Sequence, residues 1–223
     1  MQSPKVDKII AHMRERFGAT PRCELNHANG LQLLVAIVLS AQCTDKRVNM
    51  VTPELFKRYP TTASLAGAEV GEIEKLIHST GFYRAKARNV VGLCRELVKY
   101  REKMTEEGGR GDDTHVPNNI DFLTTLPGVG RKSASVFVAE FYGAPAIGVD
   151  THVTRVSRRL GLSDPAVRAD VLRIEKDLKA AIDRENWSKV NLYLVLFGRY
   201  HCTAKTPKCD TCALKDICVY HNK

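Results

Sequence analysis

Four cysteines near the end of the chain are the residues best suited to chemistry. They lie at Cys202, Cys209, Cys212 and Cys218, with the spacing C-x6-C-x2-C-x5-C. Thiols this close either form disulfides or bind metal, and structural disulfides are rare in the intracellular setting that we expect for this chain. The pattern therefore favours a metal centre.

Two kinds of centre suit four cysteines, a tetrahedral zinc ion and a [4Fe-4S] cluster. Structural zinc usually takes two C-x2-C pairs, whereas this chain has one such pair flanked by single cysteines. The spacing thus favours a [4Fe-4S] cluster, with zinc as the alternative. The remaining cysteines, Cys23, Cys43 and Cys94, are interpreted as small residues of the core.

A glycine-rich turn leads into an amphipathic helix in the segment 126–132, LPGVGRK. Gly128 and Gly130 allow backbone conformations closed to other residues and let another backbone approach closely. Amides at the start of the helix would then point outward and form a nest for phosphate. The segment is not a Walker loop, since Arg131 separates Gly130 from Lys132, nor a dinucleotide fingerprint, since the third glycine is missing. An ordinary turn between helices is the plainer interpretation.

One lysine and one aspartate at helix starts could take part in catalysis. Lys132 lies in the first helical turn, where the dipole is unfavourable to a cation. Partial burial there would also favour the neutral, nucleophilic amine, although a solvated lysine is the usual alternative. Asp150 immediately precedes another helix and is predicted to be its N-cap. A capping carboxylate can also stabilise a developing cation or assist a proton transfer.

The elements that carry these residues are predicted to be helices, because apolar residues recur three and four positions apart. Strand-like alternation is nearly absent, so the predicted fold class is all-α. The stretch 102–118, rich in Gly, Glu and Asp, is interpreted as a mobile surface loop. Helices are predicted over 5–17, 31–41, 47–59, 69–78, 84–101, 119–125, 131–142, 151–160, 166–183 and 187–199.

Composition indicates a globular protein with an anionic partner. The 223 residues are 43% apolar and 26% charged, which is ordinary for a folded domain. The longest apolar run, 33–39, falls well short of the roughly 20 residues that a membrane span needs. A net charge of +9 suits a polyanion, and nucleic acid is the commonest one for a basic protein. Charge alone leaves this partner open.

Three motifs in this order resemble the endonuclease III family of the helix-hairpin-helix DNA glycosylase superfamily. They are the turn at 126–132, the VDTHV of 149–153 and the spacing of the last four cysteines. The likeness extends over nearly the whole chain. Further matching segments are LSAQ at 39–42, TGFY at 80–83 and GRY at 198–200.

The resemblance implies two helical lobes with a cleft between them. A six-helix barrel, 23–144, would carry the helix-hairpin-helix, and a domain formed by both termini, 1–22 with 145–223, would hold a [4Fe-4S] cluster. It also implies a bifunctional enzyme that excises oxidised pyrimidines from double-stranded DNA and cleaves the strand at the resulting abasic site. The partner would be double-stranded DNA with a damaged pyrimidine or an abasic site. The protein would act as a monomer in the cytoplasm, associated with the nucleoid and with no membrane partner.

The resemblance also implies roles for individual residues. Lys132 matches the family's Schiff-base nucleophile, and Asp150 matches the carboxylate that stabilises the sugar cation. Because the base must be flipped out of the duplex, Gln42 would fill the gap and Phe82 would intercalate as a wedge. The cluster ligands would be the last four cysteines. Further DNA contacts would come from two glycine amides and three basic side chains: Gly128, Gly130, Arg131, Lys205 and Lys208.

Some residues depart from the pattern of the family. Phe197 occupies a position where histidine is common in bacterial relatives, Phe82 replaces a frequent leucine, and the loop after Arg101 is longer than usual. These departures leave the range of lesions and the opposite-base preference open. They do not touch the residues of the lyase chemistry.

Two alternative functions compete with this interpretation. An adenine mismatch glycosylase without lyase activity would share the hairpin and the cluster, but such relatives usually carry a hydroxyl residue at the position of Lys132 and an extra C-terminal domain. A non-catalytic DNA-binding protein could use the cluster as a redox or iron sensor. Binding alone, however, would require neither Lys132 nor Asp150.

Overall fold

The computed structural model describes residues 3–106, 112–166 and 170–222. Within these ranges the regular elements are all helices, which confirms the all-α prediction. The α-helices are α1 Pro4–Phe17, α2 Gly30–Leu39, α3 Asp45–Arg58, α4 Thr62–Ala66, α5 Val70–Ile77, α6 Tyr83–Glu106, α7 Ile120–Thr125, α8 Arg131–Tyr142, α9 Thr151–Leu160, α10 Val171–Ala181 and α11 Trp187–Tyr200. Short 3₁₀ helices lie at His78–Thr80, Arg184–Asn186 and Lys215–Ile217.

The chain divides into two compact units. The central unit is continuous, Cys23–Phe137, and the terminal unit combines Met1–Arg22 with Val138–Lys223. The second division lies inside α8. The predicted boundaries after residues 22 and 144 stay predictions. The barrel and cluster assignments of these units stay predictions.

The central unit is built around α2, which is buried on nearly all sides. Its sequence, GLQLLVAIVL, is apolar all round, as expected for a helix inside a core. The Asn29 side chain caps its start by accepting from the amide of Gln32. Helices α3 and α6 pack on α2, and α4 and α5 pack on α6.

The terminal unit has its own apolar core, to which α1, α9, α10 and α11 contribute. The predicted stripe of α1 faces this core through Val6, Ile9, Ile10 and Met13. Tyr193 of α11 donates from its hydroxyl to the Gly18 carbonyl at 2.8 Å, just after α1 ends. Distant parts of the sequence thus form one folded body. No described helix is long and apolar enough to span a membrane.

The helix prediction missed α4 and gave the wrong extent for α6 and α10. Helix α4 was not predicted, because it has only five residues. Thr61 and Ser64 form a capping box that stabilises its start. Helix α6 continues to Glu106, through polar residues with good helix propensity, so the predicted loop starts too early. Helix α10 is shorter than the predicted 166–183; residues 167–169 of that range lie outside the described residues.

Residues 112–118 of the predicted mobile loop are anchored to other parts of the central unit. The carbonyls of Asp113 and Thr114 accept backbone hydrogen bonds from Thr62 and Leu31 at 3.0 and 3.2 Å. Val116 is fully buried. These contacts contradict a mobile connection over residues 112–118, while residues 107–111 of the predicted loop lie outside the described residues.

Candidate active site and cysteine-lined cavity

The hairpin between α7 and α8 is held by buried side chains and one left-handed glycine. Leu126 and Val129 are buried, and the Val129 amide donates to the Leu126 carbonyl at 3.0 Å. Gly128 has φ +77°, and a Cβ atom there would lie 2.7 Å from Nδ2 of Asn89. Both the backbone and the neighbouring side chain therefore require glycine at this position. A Cβ at Gly130 would meet nothing within 4 Å.

Lys132 lies in the first turn of α8 with its side chain exposed. The expectation of partial burial was wrong, because the buried face of α8 is formed by residues such as Ala134 and Phe137. Arg131, the first residue of the helix, is also exposed. The first amides of any helix lack acceptors within it, so the start of α8 is suited to an anion. The exposed amine at this position can be reached by a large substrate.

Asp150 is the N-cap of α9, as predicted. Its Oδ1 atom accepts from the amides of His152 and Val153 at 2.8 and 2.9 Å. The residue has an extended backbone, φ −117° and ψ −171°, as an N-cap requires. The carboxylate is therefore fixed by two backbone bonds at the positive end of a helix. Its catalytic role stays a prediction.

Arg155 organises the surroundings of Asp150, and the sequence analysis did not identify it. Its Nη2 donates to the Gly198 carbonyl at 2.8 Å and lies 3.2 Å from Nδ1 of His152. Its Nε donates to the Cys202 carbonyl at 3.1 Å. Burial lowers the pKa of His152 and the charge of Asp150 opposes this shift, while Arg155 adds to it. A neutral imidazole therefore lies beside the capped carboxylate near neutral pH.

Gln42 and Phe82 share an unusual backbone conformation. Their φ angles are +53° and +46°, and they are the non-glycine residues with positive φ in the described backbone. Both side chains are exposed, and Phe82 keeps 69% of its surface accessible. Strained, exposed residues of this kind are frequent at functional sites. The predicted gap-filling residue and wedge are thus distinguished by their geometry, although their contacts with DNA stay predictions.

The four C-terminal cysteines line one cavity of the terminal unit. Cys202, Cys209, Cys212 and Cys218 contribute to its wall, together with Phe197 and His201. None of these four cysteines forms a disulfide bond. In the described residues, no three His, Cys, Asp or Glu side chains are arranged to hold a metal ion.

Burial and mutual repulsion act against the charged form of two of these thiols, Cys209 and Cys212. Burial is the main cause that raises the pKa of Cys209 and Cys212, and the neighbouring cysteines add to both shifts. Several thiolates could share this cavity only if a positive centre compensated their charge.

Arg159 of α9 supports the wall of the cavity. Its Nη1 donates to Cys202 Sγ at 3.4 Å and to the Thr203 carbonyl at 2.7 Å. Its own carbonyl accepts from Cys218 Sγ at 3.2 Å and from the Tyr220 amide at 3.1 Å. The first and last cysteines of the motif are thus joined through one arginine, which the sequence analysis also missed.

Two lysines predicted to contact DNA lie in the loop between the first two of these cysteines. Lys205 and Lys208 are both exposed, and the Lys208 amide donates to the His201 carbonyl at 3.1 Å. Lys208 also belongs to the wall of the cavity. The loop therefore presents positive charge on the terminal unit.

Comparisons with known proteins agree with this arrangement of motifs. Residues 35–183 match the model of the HhH-GPD superfamily base excision DNA repair proteins. The chain is 46% identical to endonuclease III of Synechocystis over 216 residues, covering 96% of this chain and 91% of the relative. It is 43% identical to endonuclease III of Bacillus subtilis, covering 88% and 84%. A solved structure of a trapped endonuclease III–DNA covalent intermediate superposes with a TM-score of 0.86 at 41% identity, covering 100% and 98%.

Proposed function

Because the chain belongs to the endonuclease III family of the HhH-GPD superfamily of base excision DNA repair proteins, we propose that it is a bifunctional DNA glycosylase and abasic-site lyase. Base excision repair by a DNA glycosylase is the function of the family. The proposed substrate is double-stranded DNA that contains an oxidised pyrimidine or an abasic site. The observation that supports it most directly is the exposed Lys132 amine in the first turn after the glycine hairpin.

Lys132 is proposed to be the nucleophile. Its neutral Nζ forms a bond to the sugar C1′ while the bond from C1′ to the damaged base breaks, and the electron pair leaves with the base, which takes up a proton. Nζ loses a proton, and the bond from C1′ to O4′ then opens. O4′ takes up a proton, and Nζ and C1′ are left as a protonated Schiff base. Removal of a C2′ proton expels the 3′ phosphate and cleaves the strand. A relative of this chain has been trapped as a covalent intermediate with DNA.

Asp150 is proposed to stabilise the positive charge that develops on the sugar and to assist proton transfer. Two amides hold its Oδ1 atom, which restricts the carboxylate to one orientation. A charge that is oriented before the reaction stabilises a transition state without further reorganisation. The capping bonds and the catalytic role are therefore compatible.

The flipped nucleotide requires the duplex to be kept open. We propose that Phe82 enters the duplex as a wedge and that Gln42 fills the space left by the nucleotide. Their exposed, left-handed conformations support these roles. Phosphate contacts are proposed for the amides of the hairpin glycines and for basic side chains, in agreement with the net charge of +9. These residues are Gly128, Gly130, Arg131, Lys205 and Lys208.

The cysteine-lined cavity is proposed to hold a [4Fe-4S] cluster. The support for this proposal is the donor set, because four thiols line one cavity and cysteine thiolates are the ligands of such clusters. When bound, the cluster would supply a fixed positive centre that orders the surrounding loop. Purified protein should absorb near 400 nm and contain about four irons per chain. A colourless protein with one zinc would contradict this assignment.

Borohydride trapping tests the proposed chemistry. Protein, a duplex with one thymine glycol and borohydride should give a covalent protein–DNA adduct, because reduction fixes the Schiff base. Lys132→Ala should abolish the adduct, whereas Lys99→Ala, which removes an exposed lysine with no proposed role, should retain it. An adduct formed by Lys132→Ala, or none formed by the wild type, would refute the mechanism. Base release without an adduct would instead indicate a glycosylase that lacks lyase activity.

A further inference from the structure

A buried lysine lies at the start of α6. Lys86 is only 4% exposed, although lysine is almost never buried without a partner. Its Nζ donates to the Thr80 carbonyl at 2.8 Å. Burial lowers the pKa of Lys86, and a charge interaction with Cys43 opposes the shift. A buried ammonium is expensive unless its hydrogen bonds serve the structure around it.

The hydrogen bonds of Lys86 enclose one short turn. Its side chain binds the carbonyl of Thr80, and its backbone amide donates to the carbonyl of Phe82 at 3.1 Å. Gly81 lies between these two carbonyls with φ +69°. The Thr80 hydroxyl donates to the Ile77 carbonyl at 2.8 Å and ties the turn to the end of α5. Lys86 therefore binds both ends of the turn that carries the exposed aromatic ring.

This turn needs external support. Phe82 is left-handed, which is unfavourable for a residue with a Cβ atom, and its exposed ring gains little from packing. Such a conformation persists only when its surroundings determine it. The Thr80–Lys86 hydrogen bond is a buried, charge-assisted contact that can do so.

We infer that Lys86 is a positioning residue, whose buried ammonium holds the Thr80–Phe82 turn in the conformation that presents the Phe82 ring to DNA. This inference rests on the proposed function, since it supposes that Phe82 enters a duplex. Pre-ordering the turn avoids the loss of conformational freedom that a flexible loop would suffer on binding. Removal of the ammonium should therefore weaken the steps that need the wedge.

Lys86→Met tests this inference, because methionine has a similar length and can remain buried. Two reactions are compared: excision of thymine glycol from a duplex, which needs the wedge, and cleavage of a preformed abasic site in single-stranded DNA, which does not. The variant should lower kcat/KM at least tenfold in the first reaction and less than twofold in the second. Equal losses in both would indicate a general structural defect and overturn the inference. Lys99→Met, which removes an exposed charge from the same helix, should change neither reaction more than twofold.

A binding readout separates this inference from the proposed function. A duplex with a tetrahydrofuran abasic analogue opposite 2-aminopurine reports unstacking by a rise in fluorescence, without any chemistry. The wild type should give the full rise in fluorescence, and Lys86→Met should give at most a third of it. The double variant Lys86→Met/Phe82→Ala should give a rise no smaller than that of Phe82→Ala alone, because Lys86 acts through Phe82. If the wild type excises the base and Lys86→Met still gives the full rise in fluorescence, the inference is overturned and the proposed function is unaffected. A wild type that neither excises nor unstacks the base overturns both.

A second pair of variants tests the same turn if Lys86→Met does not fold. Gly81→Ala strains the backbone of the turn without a clash, since a Cβ there would meet nothing within 4 Å. Gly18 is the matched control, with φ +84° and equally open surroundings. Gly81→Ala should lower duplex excision at least fivefold relative to single-strand cleavage, and Gly18→Ala should leave this ratio unchanged. An equal ratio of duplex excision to single-strand cleavage in Gly81→Ala and Gly18→Ala would contradict the proposed role of the Thr80–Phe82 turn.

Discussion

Substitution of Asp150 should separate its capping role from its catalytic role. An asparagine keeps an oxygen that can accept the amides of His152 and Val153, whereas an alanine removes it. Both substitutions remove the negative charge. We therefore expect Asp150→Asn to fold nearly as stably as the wild type, Asp150→Ala to be less stable, and both to lose catalysis.

The two cap bonds give the size of the effect on stability. Loss of an N-cap oxygen costs about 0.5–2 kcal/mol, and this cap serves two amides at 2.8 and 2.9 Å, so about 1–2 kcal/mol is expected for Asp150→Ala. A protein of this size loses about 2–4 °C in Tm for each kcal/mol, which gives about 2–8 °C. The asparagine variant should lose less than about 2 °C. Removing an acid–base group should lower the rate of base release by about 10²–10⁴ in both variants.

The assays are circular dichroism at 222 nm during heating and single-turnover base release from a thymine glycol duplex. Asp170 is the matched control, because its side chain caps α10 by accepting from the Arg173 amide at 3.0 Å. Asp170→Ala should be destabilised to a similar extent and keep full activity. Wild-type activity of Asp150→Asn would refute the catalytic role of the charge, and equal Tm values for the asparagine and alanine variants would refute the contribution of the cap.

Further substitutions probe the hairpin, the pH response and the cysteine cavity. Gly128→Ala should lower the free energy of unfolding by about 1–3 kcal/mol in urea titrations, because the alanine would have a positive φ and its Cβ would clash with Asn89. Gly130→Ala has open surroundings and should lower it by less than about 1 kcal/mol. Equal losses in the two variants would contradict this reasoning. Burial lowers the pKa of His12 below its unfolded value of 6.5. As the pH falls below 6.5, the unfolded chain therefore takes up a proton at His12 before the folded chain does, and the free energy of unfolding should decrease. His12→Leu should flatten this decline between pH 7.5 and 5.5, and an unchanged slope would exclude His12 as its source. Arg159→Met should reduce the absorbance near 400 nm per chain, because it loses the bond to Cys202 Sγ. Arg158→Met, which loses a bond to the Pro165 carbonyl, should retain this absorbance. Full absorbance in both variants would contradict a supporting role of Arg159.

The sequence predicted those features that depend on short-range patterns. Helices α8 and α9 begin and end at the predicted residues, because each has a regular apolar face, and α9 also has a capping aspartate and a following glycine. The resemblance drawn from three motifs is confirmed by the family match over residues 35–183. The four cysteines line a common cavity, although the group that they hold stays a prediction.

Features that depend on distant partners could not be predicted. Arg155 and Arg159 are two of several basic residues in α9, and their roles become visible only through acceptors more than 40 positions away. Lys86 resembles a surface lysine in the sequence, and only the folded chain shows its burial. The left-handed conformation of Phe82 is equally hidden, since phenylalanine disfavours it and the supporting bond comes from the tertiary structure.

The terminal unit is discontinuous in sequence, which imposes an order on its formation during synthesis. Helix α1 needs α11, and the bond from Tyr193 to the Gly18 carbonyl joins residues 175 positions apart. At about 5–20 residues per second, a ribosome needs roughly 9–35 s to supply that partner. The continuous central unit can complete its core within this interval. Until then the apolar stripe of α1 has no core to enter and stays accessible to a chaperone.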